Sequence, residues 1–141
     1  MGIDMYLIGK RELIVEELRV IADRMIPEAE AYSTPEVSFT YEVGYWRKAK
    51  VIHKWFVDNV EQGEDKPYLE HEVPLWQLKD LLKLVKQVLR SPRKAVDLMP
   101  WTAGLEYESF RMDLLHTKQI LEKILDDERF EKWTFYYKTS C

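Results

Sequence analysis

Aromatic and basic side chains interleave most densely in residues 42–60, which read Glu42-Val-Gly-Tyr-Trp-Arg-Lys-Ala-Lys-Val-Ile-His-Lys-Trp-Phe-Val-Asp-Asn-Val60. Three kinds of chemistry fit this run. In the plainest, Trp46, His53 and Phe56 fill a core while Arg47, Lys48, Lys50 and Lys54 keep the outer face in water. In the second, Gly44 turns the chain into a helix whose first N–H groups meet an anion, and Tyr45, Arg47 and Lys48 line the site. Helix N-termini and charge-assisted hydrogen bonds both favour phosphate, so the ligand would be a nucleotide or another phosphorylated small molecule. Neither a P-loop nor a Gly-x-Gly-x-x-Gly pattern accompanies the glycine. In the third, Trp55 falls outside the apolar arc of the helix, and a partly exposed indole near Lys48, Val51 and Asn59 meets a protein partner, Trp and Arg being the residue types that dominate interface energies. Binding through this run therefore rests on Tyr45, Arg47, Lys48 and Trp55.

His53 has the best position for a general acid or base, although a place within the apolar arc equally suits a core histidine. His71, within Glu70-His71-Glu72, and His116 are far enough away in sequence that only folding could bring them to it. A His-Glu-x-x-His pattern is absent, and the single cysteine is Cys141, so neither a disulfide nor a thiolate cluster can form within the chain. No metal and no cofactor are expected. No Gly-x-Ser-x-Gly elbow occurs. The chain thus reads more readily as a binding protein than as an enzyme. Asp4 stands out in an apolar segment, as either a sheet-end residue or a hydrogen-bonded buried one.

The surrounding composition narrows the partners. With 25 acidic and 21 basic residues the formal charge is −4, and this field opposes a phosphate backbone, so no nucleic-acid partner is expected. Hydrophobic residues at 46%, charged residues at 33%, 5 Gly and 6 Pro describe a globular chain. Its 141 residues suffice for a single domain over 1–141 that buries roughly 70% of its unfolded surface. No apolar run of about 18 residues is present, so no membrane span is expected. The start lacks the pattern of a secretion signal, and Tyr6 stands where N-myristoylation needs Ser or Thr. A cytoplasmic location is expected.

These side chains must be positioned by the elements around them. Residues 3–8 are apolar-rich and end at Gly9, a strand. From 12 to about 25, Ile14, Leu18, Ile21 and Met25 form a helical stripe that Ser33-Thr34-Pro35 brings to a close. Val37, Phe39, Tyr41 and Val43 alternate with polar residues, which predicts a half-buried strand broken at Gly44. A helix over 45–61 follows, with Tyr45, Trp46, Ala49, Ile52, His53, Phe56, Val57 and Val60 facing the core. Residues 62–67 form a turn and 68–73 a short edge strand. Leu75, Leu78, Leu82, Val85 and Leu89 mark a helix, Ser91-Pro92 opens a short one over 94–98, and 107–127 gives another long one. Trp, Phe, Tyr and Thr in 132–139 favour a final strand. The expected architecture is α+β: a small mixed or antiparallel sheet including both terminal strands, 3–8 beside 133–138, packed against four long helices and one short helix.

The start Met1-Gly-Ile-Asp-Met-Tyr-Leu7, the stretch Val43-Gly-Tyr-Trp-Arg-Lys-Ala-Lys-Val-Ile-His-Lys-Trp-Phe-Val57 and the end Phe135-Tyr-Tyr-Lys-Thr-Ser140 resemble a group of small uncharacterised proteins of tailed phages and prophages. The resemblance implies a phage-type accessory protein in a bacterial host, whose partner is a host protein bound for takeover or counter-defence. It supplies no activity and assigns no catalytic residue. A self-associating homodimer is the third expectation.

Overall fold

Period-2 burial in the two terminal segments fixes the centre of the sheet. The computed structural model describes residues 3–12, 16, 18 and 37–140. Strand β1 (Asp4–Glu12) and strand β4 (Thr134–Ser140) pair antiparallel, from Asp4 opposite Ser140 to Lys10 opposite Thr134. On its other side β1 pairs with β2 (Ser38–Arg47), and β4 pairs with β3 (His71–Val73), both antiparallel. The order is β2-β1-β4-β3. Met5, Leu7, Phe135, Tyr137 and Thr139 point to one face and are buried, while Tyr6, Ile8, Tyr136 and Lys138 alternate onto the other and are half-buried.

Among the described residues, α1 (Lys50–Asn59), α2 (Leu75–Arg90), α3 (Ala95–Leu98) and α4 (Arg111–Leu125) contribute buried residues to one core with the sheet. Leu78, Leu81, Val85 and Val88 of α2 and Leu114, Leu121 and Ile124 of α4 join the sheet residues in one core. The class is α+β, as the alternation of helical and period-2 segments predicts, and the sheet is wholly antiparallel. Of the helix predicted over 12–25, Glu16 and Leu18 are helical and Leu18 is buried; Ile14, Ile21 and Met25, together with the turn at 33–35, lie outside the described residues. No helix among the described residues is long and apolar enough to cross a membrane.

Two expectations around Gly44 are corrected. The glycine does not break β2; the strand runs on to Arg47, and the helix begins at Lys50 instead of Tyr45. Gly44 lies opposite Leu7, and a Cβ there would stand 2.7 Å from Ile120 Cγ2, so a missing side chain is what lets α4 cross the sheet this closely. The first half of β2 is not half-buried either: Phe39 and Tyr41 are 52% and 58% exposed. Alternation assigns residues to two faces, but a face is buried only where another element covers it.

Candidate functional site

The β2 end that the sequence singled out keeps three of its four residues at the surface. Tyr45 is exposed, and its hydroxyl donates to Asp4 Oδ1 at 2.5 Å, which settles Asp4 as a hydrogen-bonded residue at the sheet end. That carboxylate, accepting the phenolic proton, raises the Tyr45 pKa above its ordinary value. The Tyr45 carbonyl accepts from His116 Nε2 at 2.6 Å, so α4 clamps the strand edge here. Arg47 is the exposed last residue of β2, opposite Asp4. Lys48 is exposed in a left-handed turn (φ 57°), and its N–H is taken by the carbonyl of Ile3 at 2.8 Å.

Trp55 leaves the group. It is only 6% exposed and meets Phe56 edge-on with centroids 5.1 Å apart, so it presents no indole to a partner. A helical wheel supposes one covered side, whereas α1 is covered on two: the sheet lies under His53 and Phe56, and Trp101 donates its Nε1–H to the Val51 carbonyl at 3.0 Å on the side shared by Val51 and Trp55. Gly44 does not form an anion-cradling turn either, because it sits inside the strand, well before the first turn of α1.

A second constellation sits at the other edge of the sheet, under β4. His53, on α1, is 7% exposed. Its Nδ1 lies 2.7 Å from the Tyr137 hydroxyl and its Nε2 3.1 Å from Asp65 Oδ2. Asp65 as a carboxylate can only accept, so Nε2 carries a proton, and in the neutral ring the Tyr137 hydroxyl then donates to Nδ1. Tyr137 is locked in turn by parallel stacking on Phe56, centroids 3.8 Å apart and planes 4° apart. Its burial, followed by the charges of Glu61 and Asp65, raises the phenol pKa far out of the physiological range, so it stays protonated.

The chain just past α1 supplies the acids. Gln62 (φ 61°) and Gly63 (φ 82°) reverse the backbone, with the Gly63 N–H returning to the Val57 carbonyl at 2.7 Å. This turns Glu61 inward and brings Asp65 back over His53. Glu61 is 1% exposed, and neither carboxylate oxygen makes a hydrogen bond. His71 Nε2, from β3, approaches Glu61 Oε1 at 3.2 Å without hydrogen-bond geometry. Burial pushes the Glu61 pKa up and the Asp65 charge adds to this; the imidazoles of His71 and His53 and the Lys66 backbone N–H, which faces the carboxylate without well-formed hydrogen-bond geometry, only partly offset it. One donor atom each from His53, Glu61 and Asp65 falls within 4.8 Å of the others. Asp65, with its side chain 52% exposed, joins the cluster to solvent.

Folding therefore does bring His53 and His71 to neighbouring carboxylates, His53 to Asp65 and His71 to Glu61, while His116 goes instead to Tyr45 and the Trp46 ring. Reading residue types by known motifs missed Glu61 and Asp65. The available signal was His53, Glu61, Asp65 and His71 crowded into residues 53–71 around one glycine turn. No family model, curated protein or solved structure matches the chain.

Proposed function

We propose that the chain is a protein-binding module whose partner lies along β2. One observation carries this reading: within the described residues β2 is an edge strand ten residues long, and it holds Phe39, Tyr41 and Tyr45 at 40–58% exposure with Arg47 at its end. An exposed strand edge offers unpaired backbone groups to an extended partner segment, and protruding aromatic and Arg side chains supply the anchoring contacts. Natural proteins usually blunt such an edge with charge or proline. Here it carries rings. We further propose, on the reading of the start and of residues 43–57 as phage-like, that the partner is a bacterial host protein met in the cytoplasm.

The test is affinity capture from bacterial lysate with the wild type, with Phe39→Lys/Tyr41→Lys, and with Met112→Lys, which changes a 67% exposed methionine on α4. A specific partner should be lost with the β2 pair and retained with Met112→Lys. Equal recovery by all three would overturn the reading. Sedimentation of the wild type at two concentrations identifies a second copy of this chain if that is the occupant.

A further inference from the structure

At the opposite edge of the sheet from β2, we infer that His53, Glu61 and Asp65 form a binding site for one divalent first-row transition ion of the zinc class, with His71 holding Glu61 in place. Donor convergence is the first observation: a ring nitrogen and two carboxylate oxygens within 4.8 Å of one another can all reach one ion after small side-chain movements. The second is independent. Glu61 is 1% exposed with neither oxygen in a well-formed hydrogen bond, His71 Nε2 standing 3.2 Å from Oε1 out of hydrogen-bond geometry. Buried carboxylates are found paired or bound to metal, because burial removes the water that otherwise solvates their charge. A cation among these donors gives Glu61 its missing partner.

The donor set indicates which cation. Imidazole with carboxylate suits zinc and its neighbours, whereas magnesium and calcium prefer oxygen donors alone, and the cluster contains no thiolate for softer ions. Three protein ligands leave a fourth position for water, facing solvent beside the half-exposed Asp65. Tyr137 fits as the outer support: with Nε2 on the metal, His53 carries its proton on Nδ1 and donates it to the Tyr137 oxygen already 2.7 Å away. Metal binding thus switches the tautomer of His53 without moving its ring.

The experiment uses the full chain stripped with a chelator and titrated calorimetrically with zinc, cobalt(II) and magnesium. Wild type should bind one equivalent of zinc, give a cobalt ligand-field spectrum and show no magnesium heat. Asp65→Asn, at a half-exposed position that leaves the core intact, should weaken zinc at least 10-fold, and Tyr137→Phe 10- to 100-fold. Glu61→Gln should abolish the one-equivalent site, and His116→Gln should bind as wild type. Zinc binding unchanged in both Asp65→Asn and Glu61→Gln, no stoichiometric zinc in the wild type, or magnesium bound as tightly as zinc would each overturn the assignment. Retention of zinc by Phe39→Lys/Tyr41→Lys keeps this result separate from that of the β2 edge.

Discussion

At the β2 edge the rings are in water and the polar groups beside them are partnered: the Tyr45 hydroxyl gives its proton to Asp4, and its carbonyl receives one from His116. Under β4, at the β3 edge, the arrangement is reversed. Tyr137 and Phe56 are stacked and buried, and the carboxylate beside them makes no well-formed hydrogen bond. Exposed rings forgo hydrophobic stabilisation that burial would supply, and water satisfies whatever polar atoms the protein does not. A buried acid has no such substitute, and each unmet group costs about 1–3 kcal/mol. The two regions therefore have different requirements: the first needs a surface to cover it, the second needs a charge to enter it.

The sharpest break of this contrast is truncation. Tyr137→Ala should cost about 3–5 kcal/mol in denaturant unfolding, since it removes a fully buried ring from the core. Tyr41→Ala should stay within about 0.5 kcal/mol. Comparable losses for both would mean that β2 is covered in the free protein. Next in size is Gly44→Ala, expected to destabilise by about 1–3 kcal/mol through the contact with Ile120 Cγ2. Combined with Ile120→Ala it should cost less than the sum of the single changes, and strict additivity would deny the close approach.

A smaller effect has the opposite sign. Glu61→Gln in chelator should raise stability by about 1 kcal/mol, because the neutral amide removes a charge whose burial outweighs what His71 offers it. A loss of stability would show that Glu61 is already satisfied in the metal-free protein. The smallest effect belongs to Tyr45. With its folded-state pKa raised above the unfolded value, the hydrogen bond to Asp4 contributes stability fully present below about pH 10 and lost as pH rises through the folded value. Asp4→Asn should shift the Tyr45 NMR titration downward, and an unchanged midpoint would remove Asp4 as the cause.

The sheet's central pairing was legible because both terminal segments are short and rich in apolar or aromatic residues, and Met5, Leu7, Phe135 and Tyr137 meet on the one buried face. What was not legible depends on a second body of the protein. Gly44 reads as a breaker from its type, but its role is set by Ile120, far along the chain. Trp55 falls outside the apolar arc on the wheel, yet it is buried edge-on against Phe56 on a flank where Trp101 reaches the Val51 carbonyl. Arg47 and Lys48 read as surface residues from their charge alone, whereas Tyr45, expected on the core-facing arc of a helix, is an exposed residue of β2, because the strand runs on past Gly44 and so changes which residues share a face. The acid and imidazole cluster was missed because its residues come from a helix, a turn and a strand, whose convergence is tertiary. The reversal at Gln62 and Gly63 was its one local trace.

Pairing β1 with β4 has a consequence for synthesis. Asp4 waits for Ser140, and Lys10 for Thr134, so the middle of the sheet cannot close until nearly all the described chain has left the ribosome. Until then β1 can pair only with β2, an apolar two-stranded ribbon with one side open. Such long-range closure slows folding and prolongs the exposure of unpaired strands. Pauses or truncations before residue 134 should thus leave a nascent chain dependent on chaperones, whatever the stability of the finished protein.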